Sequence, residues 1–320
     1  MPTLPTLEDV RAAYSRIRGS VHRTPVLTCA SLDLLCGARL FLKAENLQRA
    51  GSFKIRGALN AVLLLDEGSA SRGVATHSSG NHAQGLSLAA AIRGVPAHIV
   101  MPKDAPAVKR AAVEGYGGRV TECEPTPEAR ARALRETVAR TGATFVPPYD
   151  DPRVIAGQGT AVLELFEDSG GLDAVIGPVG GGGLLSGTAV ACRGLAPGLR
   201  VFGAEPELAG DAAASLRTGT LQPAMPPKTV ADGLRMPLSE LTFSILRREA
   251  EGIILVSDEE IVRAMRLLWE RAKLVVEPSG AVPLAAVLKE SRRFAGLKVG
   301  LILSGGNADL DKIPWARDII

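Results

Sequence analysis

Residues 175–187 read VIGPVGGGGLLSG: an apolar run, four consecutive glycines, then small residues of helical character. A continuously apolar run is typical of a strand buried on both faces. A strand that hands over to a helix through glycine is the joint of a parallel α/β sheet. Four glycines in a row lose much conformational entropy on folding, and one or two would suffice for a tight turn. The longer tract lets the N–H groups of Gly180, Gly181, Gly182 and Gly183 converge at a helix N-terminus, where an anion is stabilised. The lysine-bearing GxxxxGK[ST] pattern is absent, which speaks against a nucleoside triphosphatase. A GxGxxG fingerprint has to be forced onto Gly180, Gly182 and Ser186, without the usual opening context. The tract predicts a seat for a small phosphorylated cofactor.

The alternation continues on both sides. RLFLKAE, GVATHSS, AHIVMP, RVTECE, DAVIGPV, LRVFGAE, GIILVS and LKVGLILSGG read as strands. NHAQGLSLAAAIRG, PEARARALRETVARTG, GLLSGTAVACRGLAP, SDEEIVRAMRLLWERAK and PSGAVPLAAVLKES read as helices, several opening at Ser, Asn or Pro and closing near Gly. Such a series predicts parallel sheets flanked by helices, with ligands bound beyond the carboxyl ends of the strands. Besides the glycine tract, HSSGNHAQG (77–85) and LSGGNADL (303–310) carry that signature, and PPYDDP (147–152) is the candidate hinge.

The 320 residues suffice for two domains around one cleft. A formal net charge of +3, with the basic residues scattered among acids, argues against nucleic acid or an anionic membrane as partner. The uncharged stretch between Asp173 and Arg193 carries glycines and a proline and makes a poor membrane span. Cys29, Cys36, Cys123 and Cys192 form no CxxC pair, as expected of buried thiols in a reducing compartment. The N-terminus shows no basic leader or apolar core of a secretion signal, so a cytoplasmic protein is expected.

Lys54 stands in GSFKIRGALN (51–60), where Ser52 offers a cap and a helix is expected to follow. By spacing alone it is a solvated first-turn lysine. Taken in order, GSFKIRGA, SSGNHAQG, the tetraglycine loop and LSGGN resemble the fold type II family of pyridoxal phosphate enzymes. Within it the chain is similar to the threonine/serine dehydratase and serine racemase branch. HRTPVL, VIAGQGT and VVEPSGA extend the resemblance over nearly the whole chain.

The resemblance implies a two-domain fold with residues 1–72 and 149–320 as the large cofactor-binding domain and 73–148 as the small one. It makes Lys54 the residue that links covalently to pyridoxal 5'-phosphate and serves as base, with Phe53 packed near the ring. Gly180, Gly181, Gly182 and Gly183 would hold the phosphate, and Asn81 the ring hydroxyl. Ser304 would face the pyridine nitrogen. A hydroxyl there cannot strongly hold that nitrogen protonated, which makes the ring a moderate electron sink and favours β-elimination. Ser78, Ser79, Asn81 and His82 would seat the substrate carboxylate. Ser79 matches the racemase position opposite the lysine; helix capping is the plain reading of a serine there, and both roles can coexist. Glu205 and Asp211, with the carbonyl of Ala209, match a metal site of hard oxygen ligands for Mg²⁺ or Ca²⁺. By spacing alone they are two solvated acids.

Arg130 falls where racemase-like members carry a substrate-side arginine. Tyr149, Met236 and Pro237 depart from the racemase pattern. The expected activity is dehydration and deamination of L-threonine and L-serine to 2-oxobutanoate or pyruvate and ammonia. Serine racemase and dehydratase action on 3-hydroxyaspartate stand as alternatives. A homodimer or homotetramer is implied, and, with the chain ending soon after LSGGNADL, no C-terminal regulatory domain is expected.

Overall fold

The structure is a computed structural model that describes residues 4–105, 107–225 and 228–315. Its strands are β1 (Val26–Leu27), β2 (Arg39–Lys43), β3 (Val74–His77), β4 (Ala97–Pro102), β5 (Gly118–Cys123), β6 (Thr144–Phe145), β7 (Ala174–Pro178), β8 (Arg200–Pro206), β9 (Gly252–Val256) and β10 (Lys298–Ile302). They form a six-stranded sheet, ordered β1-β2-β10-β7-β8-β9, and a four-stranded sheet, ordered β5-β4-β3-β6. All pairs are parallel except β1 with β2. The eight strands expected from the sequence are all present. β1 and β6, of two residues each, are too short to leave a pattern.

The period-2 alternation of a strand explains why the large sheet needs helices on both faces. Ala174 and Ile176 of β7 point into one core with Leu40, Leu301 and the helices Asp258–Leu267 and Pro278–Lys289. Val175, between them, points into the other with Ile302 and the helices Pro152–Ser169 and Gly183–Leu195. Neither face could stay wet.

β10, last in the chain, lies between β2 and β7. The order of connection reverses there, so the carboxyl ends of these strands open onto a crevice. The helix Lys54–Leu63 closes one side of it. Gly157, Gly57 and Gly85 let it approach its neighbours closely: a Cβ on Gly157 would stand 2.6 Å from the Arg56 carbonyl oxygen, and one on Gly85 would stand 3.1 Å from Ile55 N. It thus packs against Pro152–Ser169, under the large sheet, and Asn81–Arg93, under the small one.

Ser52 does not cap this helix. Phe53 is the cap residue and offers no side-chain bond, while Ser52 is extended (φ −164°, ψ 161°) and forms an antiparallel bridge with Gly305. The backbone at Ser52 serves as a fragment of strand, and Phe53, helical in φ and ψ, stands between it and the helix in the cap position.

Two residues beyond Lys54, Arg56 is fully buried. Its Nε donates to Glu45 Oε2 at 2.8 Å and its Nη2 to Glu164 Oε2 at 2.7 Å, and Lys43 Nζ donates to the same Glu164 oxygen at 2.6 Å. Thr24 donates to Glu45 Oε1 at 2.5 Å. Two cations and two anions therefore balance in a dry interior. Breaking such a group leaves an uncompensated charge, so Glu164→Ala should lower the unfolding free energy by roughly 3–5 kcal/mol, to be read from urea denaturation. A loss under ~1 kcal/mol, the scale of an exposed pair, would show that water reaches the network.

Candidate active site

Lys54 projects from the first turn of its helix, and the segment before it is fastened to the chain beyond β10. Phe53 N donates to the Ser304 carbonyl at 3.0 Å and Gly306 N to the Gly51 carbonyl at 2.9 Å. The Lys54 Nζ donates to the Pro148 carbonyl at 2.9 Å and stands 5.0 Å from the Phe53 ring centre. Burial lowers its pKa to about 8, although nearby Glu277 opposes the shift. A lysine held there is partly neutral at physiological pH, which nucleophilic and base chemistry both need. Ser304 is buried in the same loop.

The expected phosphate loop runs from Gly180 to the start of Gly183–Leu195. Gly182 has φ +84°, and no side chain caps the helix it begins. A Cβ on Gly181 would lie 2.3 Å from the Tyr149 ring, and one on Gly180 would lie 2.8 Å from Leu234 Cα. Backbone N–H groups at an uncapped helix start, with every Cβ stripped away, fit a phosphate.

Asn81 opens the helix Asn81–Arg93 behind Gly80, again with no side-chain cap. Ser79 is therefore not spent on capping. Ser78 Oγ accepts from Gly80 N at 3.3 Å. His82 differs from expectation, because its side chain is buried in the core and its Nε2 donates to the Val146 carbonyl at 2.9 Å. Burial, helped by the Lys54 charge, lowers its pKa to about 3, so the ring is neutral. What His82 can offer a ligand is its main-chain N–H.

Arg130 lies on the helix Pro127–Thr141. It is close enough to His77, at the end of β3, for its charge to add to burial in lowering that imidazole's pKa. Its Nε is buried and has no hydrogen-bond partner among the described residues.

Glu205 lies near the end of β8 and is buried, as is Asp211. The Glu205 oxygens accept from Ala212 N at 3.0 Å and Ala213 N at 2.8 Å, which ties the carboxylate to the first turn of Asp211–Thr218. Burial still raises its pKa to about 8, and the neighbouring Asp211 adds to the rise. These are not solvated acids. Each oxygen keeps a lone pair, and two desolvated carboxylates beside the turn that holds Ala209 fit a hard divalent cation.

Two residues not expected from the sequence, Glu277 and Asn307, join the site. Glu277 Oε1 accepts from Asn81 Nδ2 at 2.7 Å, and Asn307 Nδ2 donates to Asn81 Oδ1 at 2.8 Å. Both lie in motifs the sequence displays, VVEPSGA and LSGGN. An acid just before a helix that opens on proline was the available signal.

The Lys54 pKa has a direct test. Reductive labelling of Lys54 by a small aldehyde should speed up about tenfold per pH unit below pH 8 and level off above it, as only the neutral amine reacts. Peptide mass spectrometry reads the rate; labelling that climbs steadily to pH 10 would mean an ordinary solvated lysine.

Residues 17–305 match a family model described as pyridoxal-phosphate dependent enzyme. The chain is 52% identical over 312 residues to a beta-hydroxyaspartate dehydratase of Paracoccus denitrificans, covering 98% of this chain and 99% of that one. It is 49% identical to a serine racemase of Dictyostelium discoideum, with 96% of each chain covered. Among solved structures, a threonine deaminase of T.th. superposes with a TM-score of 0.91 at 48% identity, covering 96% of this chain and 99% of that one. Together with the parallel sheets and the lysine in the cleft, these likenesses make the chain a fold type II pyridoxal-phosphate-dependent enzyme of the serine racemase and dehydratase family.

Proposed function

We propose that the chain is an ammonia-lyase that converts 3-hydroxyaspartate to oxaloacetate and ammonia. The observation that carries this is Arg130, a cation with a buried, unpartnered Nε among the described residues, beside the strand end that leads into Ser78, Ser79 and Asn81. One carboxylate of the substrate is seated by that loop. A second carboxylate would meet Arg130. L-Threonine and L-serine, the substrates expected from sequence, offer Arg130 nothing to pair with. The hydroxyaspartate dehydratase likeness supports the change.

Residues 73–148 would form the small domain and the rest of the chain the large one, with the cleft between. Bound pyridoxal phosphate would supply an electron-accepting ring that acidifies the substrate's α-hydrogen. Its phosphate would lie on the N–H groups of Gly180 to Gly183, its ring hydroxyl at Asn81 and its nitrogen at Ser304. Lys54, neutral above about pH 8, takes the α-proton on Nζ. Phe53 limits the approach of Nζ to one side. The hydroxyl lost as water is regained when ammonia is released, so the net products are oxaloacetate and ammonia. Glu205, Asp211 and the Ala209 carbonyl would hold Mg²⁺ or Ca²⁺ away from the reacting atoms.

The four cysteines are unbridged, which supports a cytoplasmic setting, and no helix among the described residues is long and apolar enough to cross a membrane. Leu34 is 86% exposed beside half-exposed Leu35. A homo-oligomer, a dimer or tetramer, would cover these two side chains.

With cofactor-loaded protein, kcat/KM for 2-oxo acid release should be highest for 3-hydroxyaspartate. A higher value for L-threonine would return the assignment to threonine dehydratase, and D-serine accumulating from L-serine faster than pyruvate would make the chain a racemase. Arg130→Ala should cost 3-hydroxyaspartate turnover the roughly 1.5–3 kcal/mol of a charged hydrogen bond, about 10- to 100-fold in kcat/KM, while L-serine turnover stays within about threefold. Equal losses on both substrates would make Arg130 structural. Mg²⁺ or Ca²⁺ should raise the Tm of the wild type by mass action, and Glu205→Gln should abolish the rise.

A further inference from the structure

Asn81 is gripped from two sides. Its Oδ1 takes an N–H from Asn307, whose Nδ2 also donates to the Ala50 carbonyl at 2.9 Å. Its Nδ2 gives one hydrogen to Glu277 Oε1 at 2.7 Å. Glu277 Oε1 accepts whether the carboxyl is ionised or, its pKa raised to about 7 by burial, carries its proton on Oε2, so Glu277 turns the NH₂ end of the amide toward itself. The flipped amide would set two acceptors face to face at Glu277 and two donors face to face at Asn307. One N–H of Asn81 is left over, and it can only donate.

Glu277 is itself fixed. It is the cap residue of Pro278–Lys289, and its N donates to the Gly305 carbonyl at 3.0 Å. A Cβ on Gly305 would stand 2.5 Å from Glu277 Oε1 and 3.2 Å from Asn81 Nδ2, so the pair packs directly against the loop that carries Ser304. Around its carboxylate lie the charges of Asp232, Lys109 and Lys54. Lys109 and Asp232 are paired with each other at 2.6 Å, so of these two cations Lys54 alone stands outside an ion pair with the described residues.

We propose that Glu277 is a positioning residue: with Asn307 it locks the Asn81 amide so that the remaining N–H is presented as a donor to the oxygen on the cofactor ring. This deepens the cofactor seat proposed above and is independent of which amino acid is the substrate. A donor-only amide favours the ionised form of that oxygen. An amide free to rotate would favour neither form.

The test measures pyridoxal phosphate affinity by absorbance titration, and the pH dependence of the bound cofactor's visible spectrum, in Asn81→Ala, Glu277→Ala, Glu277→Gln and Asn81→Ala/Glu277→Ala. Glu277→Ala and Asn81→Ala should each weaken binding by about tenfold, one lost hydrogen bond, and shift the spectral titration in the same direction. Glu277→Gln keeps an acceptor for Asn81 and should bind within about threefold of wild type. The double variant should bind no worse than Asn81→Ala alone, because the two residues act as one unit. Additive losses in the double variant, or Glu277→Gln as damaging as Glu277→Ala, would overturn the positioning role and leave the seat intact. Wild-type affinity in Asn81→Ala would overturn the seat itself, and the role of Glu277 with it.

Discussion

The site depends on a short antiparallel contact: Ser52 against Gly305, flanked by the bonds from Phe53 to Ser304 and from Gly306 to Gly51. It joins a segment near the start of the chain to one near its end, and it places Lys54 beside Ser304. No side chain makes these bonds, so the relation of lysine to loop is fixed by backbone geometry and survives side-chain motion. The bonds are made at the carboxyl end of β10, where the strand order reverses and the sheet leaves a crevice.

Charge is handled in two opposite ways within a few residues. Arg56, Glu45, Lys43 and Glu164 are taken fully out of water and pair completely. Lys54, Glu277 and Glu205 are desolvated without equal compensation, and each is shifted toward neutrality. The first group costs stability if any member is lost and has no chemistry to offer. The second is under-paired, as groups that must meet a ligand tend to be. The paired network anchors the helix that carries Lys54 through Arg56, while, among the described residues, Lys54 itself is held only by the Pro148 carbonyl.

Strands and helices were legible because burial on both faces leaves continuous apolar runs, and because glycine marks the handovers. β1 and β6 were not, since two residues carry no period. Ser52 misled for a long-range reason: a serine ahead of a helix suggests a cap, whereas a backbone pairing partner at the far end of the chain made it a strand fragment. His82 misled in the same manner, since its place in a loop-to-helix motif does not reveal which way the ring turns. Glu277 and Asn307 escaped because their importance lies wholly in what they touch, and both contacts are with Asn81, roughly 200 residues away.

The glycine tract needs a more exacting reading than the sequence permits. One or two glycines would make the turn, so four suggest a ligand. Yet packing alone already requires small residues at Gly180, Gly181, Gly182 and Gly183, against Leu234, Tyr149, Leu238 and Tyr149 respectively. Absence of side chains is therefore explained without a phosphate. The same packing, with φ +84° at Gly182, shuts out a capping side chain, so the first N–H groups of the helix behind the tract stay without a side-chain cap. The helix Asn81–Arg93 begins the same way, behind Gly80. Two uncapped helix starts near one lysine leave two sets of donors suited to anions, in keeping with the phosphate and carboxylate seats proposed for them. It is the missing caps, more than the glycines, that point to a ligand with an anion at each end of its reach.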